Sequence, residues 1–187
     1  MQVNKTRGMK GQTLILLVVI LFSFDQRAGG QLNVHPFFEH ISTREGLSHV
    51  GINTIYQDSR GFLWIGTYDG LNRFDGINFT VFHHIPSDSS SLANNRIHSI
   101  TESHEGLLWI GTEEGLCNYD IHTEKFGFPG IDGFPNQRLD IRKVYEDLGN
   151  RLWLLTSSGE VYIISRDRTS FKSIYIHQLG GDMAELY

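Results

Sequence analysis

One cysteine, Cys117, is all that this chain of 187 residues contains. A lone thiol cannot build an intramolecular disulfide framework, and no cysteine cluster is present to hold zinc. Its chemistry favours a small, buried, apolar role. Clusters of lysine and arginine are missing as well. Long apolar runs are scarce: "LILLVVILFSF", residues 14–24, is eleven residues long, whereas a membrane-spanning helix takes about 20. Lys5, Arg7 and Lys10 precede that run, and the small residues "AGG", 28–30, follow it. The pattern predicts a signal peptide over residues 1–30, either cleaved before Gln31 or kept as an uncleaved anchor. No cysteine follows the run to take a lipid. Beyond it no window carries a 3.6-residue apolar period, which turns the reading toward strands.

What is present is globular in composition, 40 % hydrophobic and 20 % charged, and a chain of this length predicts one domain. Lys5, Arg7, Lys10 and Arg27 take four of the 16 cationic residues and Asp25 one of the 21 acidic ones, so residues 31–187 carry a net charge near −8. An acidic surface repels phosphate backbones, so nucleic acid is not an expected partner. The charge gives no reason to expect membrane contact by this segment either. Export, acidity and one unpaired cysteine together predict a bacterial periplasmic protein. In such a host the sequon-like "NFT" at Asn78 carries no glycan.

The strongest signal is a repeat. "GFLWIGTYDGLNRFD", residues 61–75, returns as "GLLWIGTEEGLCNYD", residues 106–120, with nine of fifteen positions identical. Trp64, Trp109 and Trp153 are spaced by 45 and then 44 residues, as are Gly70, Gly115 and Gly159, and Ile55, Ile100 and Val144. The third copy, "NRLWLLTSSGEVYII" (150–164), is worn, but it keeps the period. Each copy reads as four short strands cut by turn residues. In the first these are "INTIYQD", "FLWIGT", "LNRFD" and "FTVFH". Four strands in about 45 residues is the size of one β-propeller blade, whose apolar face is covered only by stacking on its neighbours.

The expected fold is therefore all-β, with about three four-stranded blades of an incomplete β-propeller at residues 52–83, 97–128 and 139–175. "VHPFFEH", residues 34–40, aligns with "FTVFHHI" one period later and predicts a lone outer strand. Closed propellers need roughly 4 to 8 blades; three cannot close a ring, so the reading is of an N-terminal fragment. Open flanks predict poor solubility or self-association of residues 31–187, unless missing blades cover them. The tryptophans, mid-strand and beside Ile65 or Ile110, read as packing residues between blades rather than as exposed sugar platforms. The "D-x-x-G" stretches read as turns, because they lack the carboxylate density of a calcium loop.

The motif "D-x-x-G-x-L-W-I-G-T-x-x-G-L-x-x-[FY]", carried by Asp58 to Phe74, resembles the two-component regulator propeller repeat. The second copy departs at Ser103, which stands where the Asp would be, and the third at Leu155, in place of the glycine. The signal peptide and "FEHISTREGLS" resemble the start of periplasmic sensors of hybrid two-component systems. In that family the repeats precede a membrane helix and a histidine kinase core, and carbohydrate breakdown products are the implied signals. The resemblance implies a periplasmic, carbohydrate-sensing propeller segment that is not itself an enzyme, with an oligosaccharide as partner and the kinase elsewhere in a longer parent.

Residue chemistry for catalysis is not evident, so no catalytic, cofactor-binding or metal residue is assigned and no cofactor is expected. His83 and His84 are adjacent and point to opposite faces of a strand; His98, His104 and the other histidines read as solvated or loop residues. "PSDSSS", 86–91, has no nucleophile elbow and reads as a flexible inter-blade loop. Glu146 and Asp147 diverge as strand neighbours, and Asp147 matches the turn position of Asp58. Two rival readings stay open: an interaction scaffold without a small ligand, and a sugar-active propeller enzyme. For a sensor, the fold implies ligand contact on the face bearing Tyr68, Asp69, Glu113, Glu114, Ser157, Ser158 and "HHIPSDSSS", without assigning single residues.

Overall fold

The computed structural model describes residues 40–175. The expected signal peptide and nearly all of the expected outer strand at 34–40 lie outside them. Three four-stranded antiparallel sheets follow one another along the chain. The first holds β1 (Ile52–Gln57), β2 (Leu63–Thr67), β3 (Leu71–Phe74) and β4 (Phe79–Phe82). The second holds β5 (Ile97–Glu102), β6 (Leu107–Thr112), β7 (Gly115–Asp120) and β8 (Lys125–Gly127). In the third are β9 (Ile141–Glu146), β10 (Leu152–Thr156), β11 (Glu160–Ile164) and β12 (Phe171–Tyr175). Every sheet is a simple meander. A single turn of 3-10 helix, Asn136–Arg138, precedes β9. The architecture is all-β and propeller-like, as the period implies.

Two turns recur because their residues make the same bonds each time. Asp58 Oδ1 accepts from the Arg60 and Phe62 amides at 3.0 and 2.9 Å, closing the hairpin between β1 and β2. Thr67 Oγ1 donates to the Gly70 carbonyl at 3.0 Å, and Thr112 Oγ1 repeats this with Gly115 at 2.8 Å. Gly70 and Gly115 sit at φ +105° and +112°, a region that side chains with a Cβ rarely enter.

Neighbouring sheets stack through their faces. Between the first two lie Trp64, Leu71, Ile97, Leu108, Ile110 and Tyr119, all buried. The Trp64 and Tyr119 rings are 5.0 Å apart, tilted by 59°. Trp109, Leu116, Ile141, Leu154, Tyr162 and Ile164 fill the second interface. The face logic shows in one repeat position. Ile100 and Val144 are each 6 % exposed against a preceding sheet, while the equivalent Ile55 is 60 % exposed on the outer side of the first. Trp64 and Trp109 are packing residues between sheets; Trp153, on the outer face of the third, is half-buried.

The glycine of "LWIGT" has a cause one sheet away. A Cβ on Gly66 would lie 2.5 Å from Ile97 Cγ2, and one on Gly111 would lie 2.8 Å from Ile141 Cγ2. The first isoleucine of each inner strand therefore seats in the gap left by the preceding sheet's glycine. Cys117 is fully buried in the first interface, where desolvation pushes its thiol up to about 12. It is unreactive there.

Candidate functional site

At the end where β1, β5 and β9 begin, each of these inner strands carries the same irregularity. In β1 the pairing passes from Ile52↔Thr67 to Thr54↔Gly66, leaving Asn53 as an extra residue. In β5 it passes from Ile97↔Thr112 to Ser99↔Gly111, leaving His98. In β9 the partners of Thr156 and Leu155 are Ile141 and Lys143, leaving Arg142. A β-bulge re-aims the side chain it adds. Asn53, His98 and Arg142 together line a cavity of about 490 Å³, which His49, Tyr68 and Arg96 complete.

The walls are tied by bonds between sheets. Asn53 Nδ2 donates to the Ile97 carbonyl at 2.8 Å. Arg96 pairs with Glu113 at 2.7 Å and lies over the Tyr68 ring, 5.2 Å from its centroid. Arg142 pairs with Asp140 at 2.7 Å. His98 Nε2 and Asp140 Oδ1 are 3.3 Å apart, both buried and neither hydrogen-bonded. Burial pushes the His98 pKa down, and the Arg142 charge adds to this against the opposing pull of Asp140.

The residues anticipated on this face divide among three places. Tyr68 and Asp69 meet the second sheet, Asp69 accepting from Asn95 Nδ2 at 3.2 Å, and Glu113 joins them through Arg96. Glu114 instead lines a peripheral cavity of about 480 Å³ with His84, Asp88 and Phe128. Ser157 and Ser158 are exposed on the third sheet. The loop over 83–91 is closed by its own bonds: Asp88 Oδ1 accepts from the Ser90 amide and hydroxyl, and the Ile85 amide donates to Ser91 Oγ at 2.9 Å.

His98 is the main departure from the sequence reading. It is a strand residue with a side chain 7 % exposed, not a solvated loop histidine. Asn53, His98 and Arg142 had a readable signal only in their common spacing, since each follows the first isoleucine of its copy.

The opposite end is structural. Ser59 donates from its amide and hydroxyl to Glu102 at 2.7 and 2.6 Å, and His104, one period on, approaches Glu146 Oε1 through its amide and Nδ1 at 3.2 and 2.7 Å. Glu146 and Asp147 do diverge, to Arg168 and to Trp153. Among the described residues no group of three or more histidine, cysteine or carboxylate side chains could hold a metal ion.

A profile of the family described as two component regulator propeller matches residues 46–69 and 91–114. These two segments resemble the two-component regulator propeller repeat. Both matched segments end in the loop after the "LWIGT" strand, so the first contains Asn53 and the Asp58–Trp64 turn and the second contains His98 and the same turn with Ser103 in place of the Asp. Histidine kinase P4 of Formosa agariphila is 41 % identical over 75 residues, 40 % of this chain and 6 % of the kinase. The extracellular domain of the hybrid two component system BT4673 from B. thetaiotaomicron superposes with a TM-score of 0.52 at 27 % identity, over 63 % of this chain and 17 % of that one. The regulator-propeller repeats described here thus span a small part of each relative's length.

Proposed function

We propose that this chain supplies part of the periplasmic ligand-sensing propeller of a two-component signal-transduction sensor, with carbohydrate as ligand and no catalytic step of its own. One observation carries the reading: two consecutive regulator-propeller repeats build sheets arranged as in the extracellular domain of a hybrid two-component system. The apolar leader at residues 14–24 supports export. The carboxylates nearest to an acid–base pair, Glu146 and Asp147, are engaged by Arg168 and Trp153, which supports a binding rather than a catalytic role. A kinase, in this reading, belongs to a longer parent protein.

The test is calorimetric titration of the full chain with a panel of neutral and acidic oligosaccharides, followed by chromatography of the same samples. Binding with no product is the expected outcome. Product formation would replace the sensor with a sugar-active enzyme. The scaffold reading draws on a separate observation: Leu155 and Ile163, half-buried on the outer face of the third sheet, have no sheet beyond them among the described residues. Absence of binding across the panel would favour it.

A further inference from the structure

We propose that the three bulge side chains, Asn53, His98 and Arg142, form the recognition site of this face and that its ligand is a saccharide bearing an oxyanion, a carboxylate or a sulfate. The proposal rests on the sensor reading and deepens it. Its first support is the contrast between constant geometry and changing chemistry. The bulge recurs at one position in all three inner strands, while the residue it presents is an amide, an imidazole and a guanidinium. The residues just before it are the same throughout: Ile52, Ile97 and Ile141. Packing alone explains a constant isoleucine; it gives no reason for three different polar groups delivered to one cavity by the same device.

The second support is the lining itself. His49, Asn53, Tyr68, Arg96, His98 and Arg142 include two guanidiniums and no carboxylate. Each guanidinium has five N–H donors. Arg96 gives only Nη1 to Glu113 and Arg142 only Nη2 to Asp140, with side chains 44 % and 48 % exposed. Donors remain on both for a planar or tetrahedral oxyanion, the geometry to which guanidinium bonds best. The nearby carboxylates balance the charge, so selectivity arises from short-range bonding rather than from a broad positive field. A third support is the buried His98 Nε2 at the same wall, which faces Asp140 Oδ1 at 3.3 Å without a hydrogen bond to it. A buried polar atom left without a hydrogen bond calls for an explanation, and a polar group of a bound ligand is one.

The experiment is calorimetry on the full chain with three probes: digalacturonate, a glucose sulfate and neutral cellobiose. Variants are Arg142→Gln and His98→Asn, with Arg151→Gln, at the other end of the third sheet, as control. Circular dichroism checks that each variant folds. The expected result is that one or both anionic probes bind about tenfold or more tighter than cellobiose. Arg142→Gln should abolish that preference, His98→Asn should weaken it, and Arg151→Gln should leave it intact. Whether digalacturonate or the sulfate is preferred identifies the oxyanion. Equal binding of cellobiose would overturn the anionic class and leave the sensor reading standing. Anion binding untouched by Arg142→Gln would overturn the site. No binding by any oligosaccharide, including a wider neutral panel, would overturn the sensor reading and this inference with it. Should Arg142→Gln misfold, Arg96→Gln replaces it and answers the same question.

Discussion

Single side chains decide how each repeat holds its tryptophan. Asp58 Oδ2 accepts from Trp64 Nε1 at 2.8 Å, and Asp147 Oδ2 accepts from Trp153 Nε1 at the same distance. Ser103 stands at this point in the second copy, its hydroxyl bonds only amides, and Trp109 Nε1 is buried without a partner. Arg168 stacks over the Trp109 ring instead, 5.5 Å from it. An unpaired buried donor costs about 1–3 kcal/mol. Ser103→Asp is accordingly expected to stabilise the chain by about 1 kcal/mol in urea unfolding, with Asp58→Asn shifting the midpoint the other way. For Asp147 the sign with pH follows from its environment. Burial acts to raise its pKa, but the bonds from Trp153 Nε1 and from the Arg151 amide and guanidinium outweigh it and hold the carboxyl at about 2, against an ordinary 3.8. A lowered folded value means stability present above about 3.8 and lost as the pH falls toward about 2. Asp147→Asn should flatten the acid limb of a stability–pH curve in that window, and an unchanged limb would contradict the assignment.

Between sheets, the seat formed by Gly66 for Ile97 and by Gly111 for Ile141 leaves no room for a Cβ. Gly111→Ala is expected to destabilise by about 1–3 kcal/mol through overpacking. Pairing it with Ile141→Ala, which removes the Cγ2 that the new Cβ would meet, should recover part of that loss in a double-mutant cycle. Simple additivity would mean that the two residues do not meet. Strand positions were legible in the sequence to within a residue or so, because the period shows each turn three times: Asp58 and Asp147 with their glycine or asparagine, Thr67 and Thr112 with theirs. The glycine of "LWIGT" was legible as a mark of the repeat, but its reason lies about thirty residues downstream. The bulges were not legible beyond the common spacing of Asn53, His98 and Arg142. An extra residue in a strand alters which way a side chain points without altering composition, and so His98 looked like a loop residue.

At the scale of the molecule, both end faces carry apolar groups. Ile52 is 45 % exposed on the first sheet, and Leu155 and Val161 are half-buried on the third. Self-association of the full chain at micromolar concentration is the expected behaviour, read by sedimentation velocity. Val161→Lys should reduce it; a monomer at all concentrations would mean that the masking of these faces is already complete.

The glycine seat also gives the repeat a polarity. Each sheet is a plug on one side, through its isoleucine, and a socket on the other, through its glycine. On the third sheet the socket position is occupied by Leu155, whereas the first sheet still presents the plug Ile52. The joint that the first two sheets make with their successors is therefore not repeated in the same form on the third, and a sheet stacked on its outer face must present something smaller than isoleucine opposite Leu155.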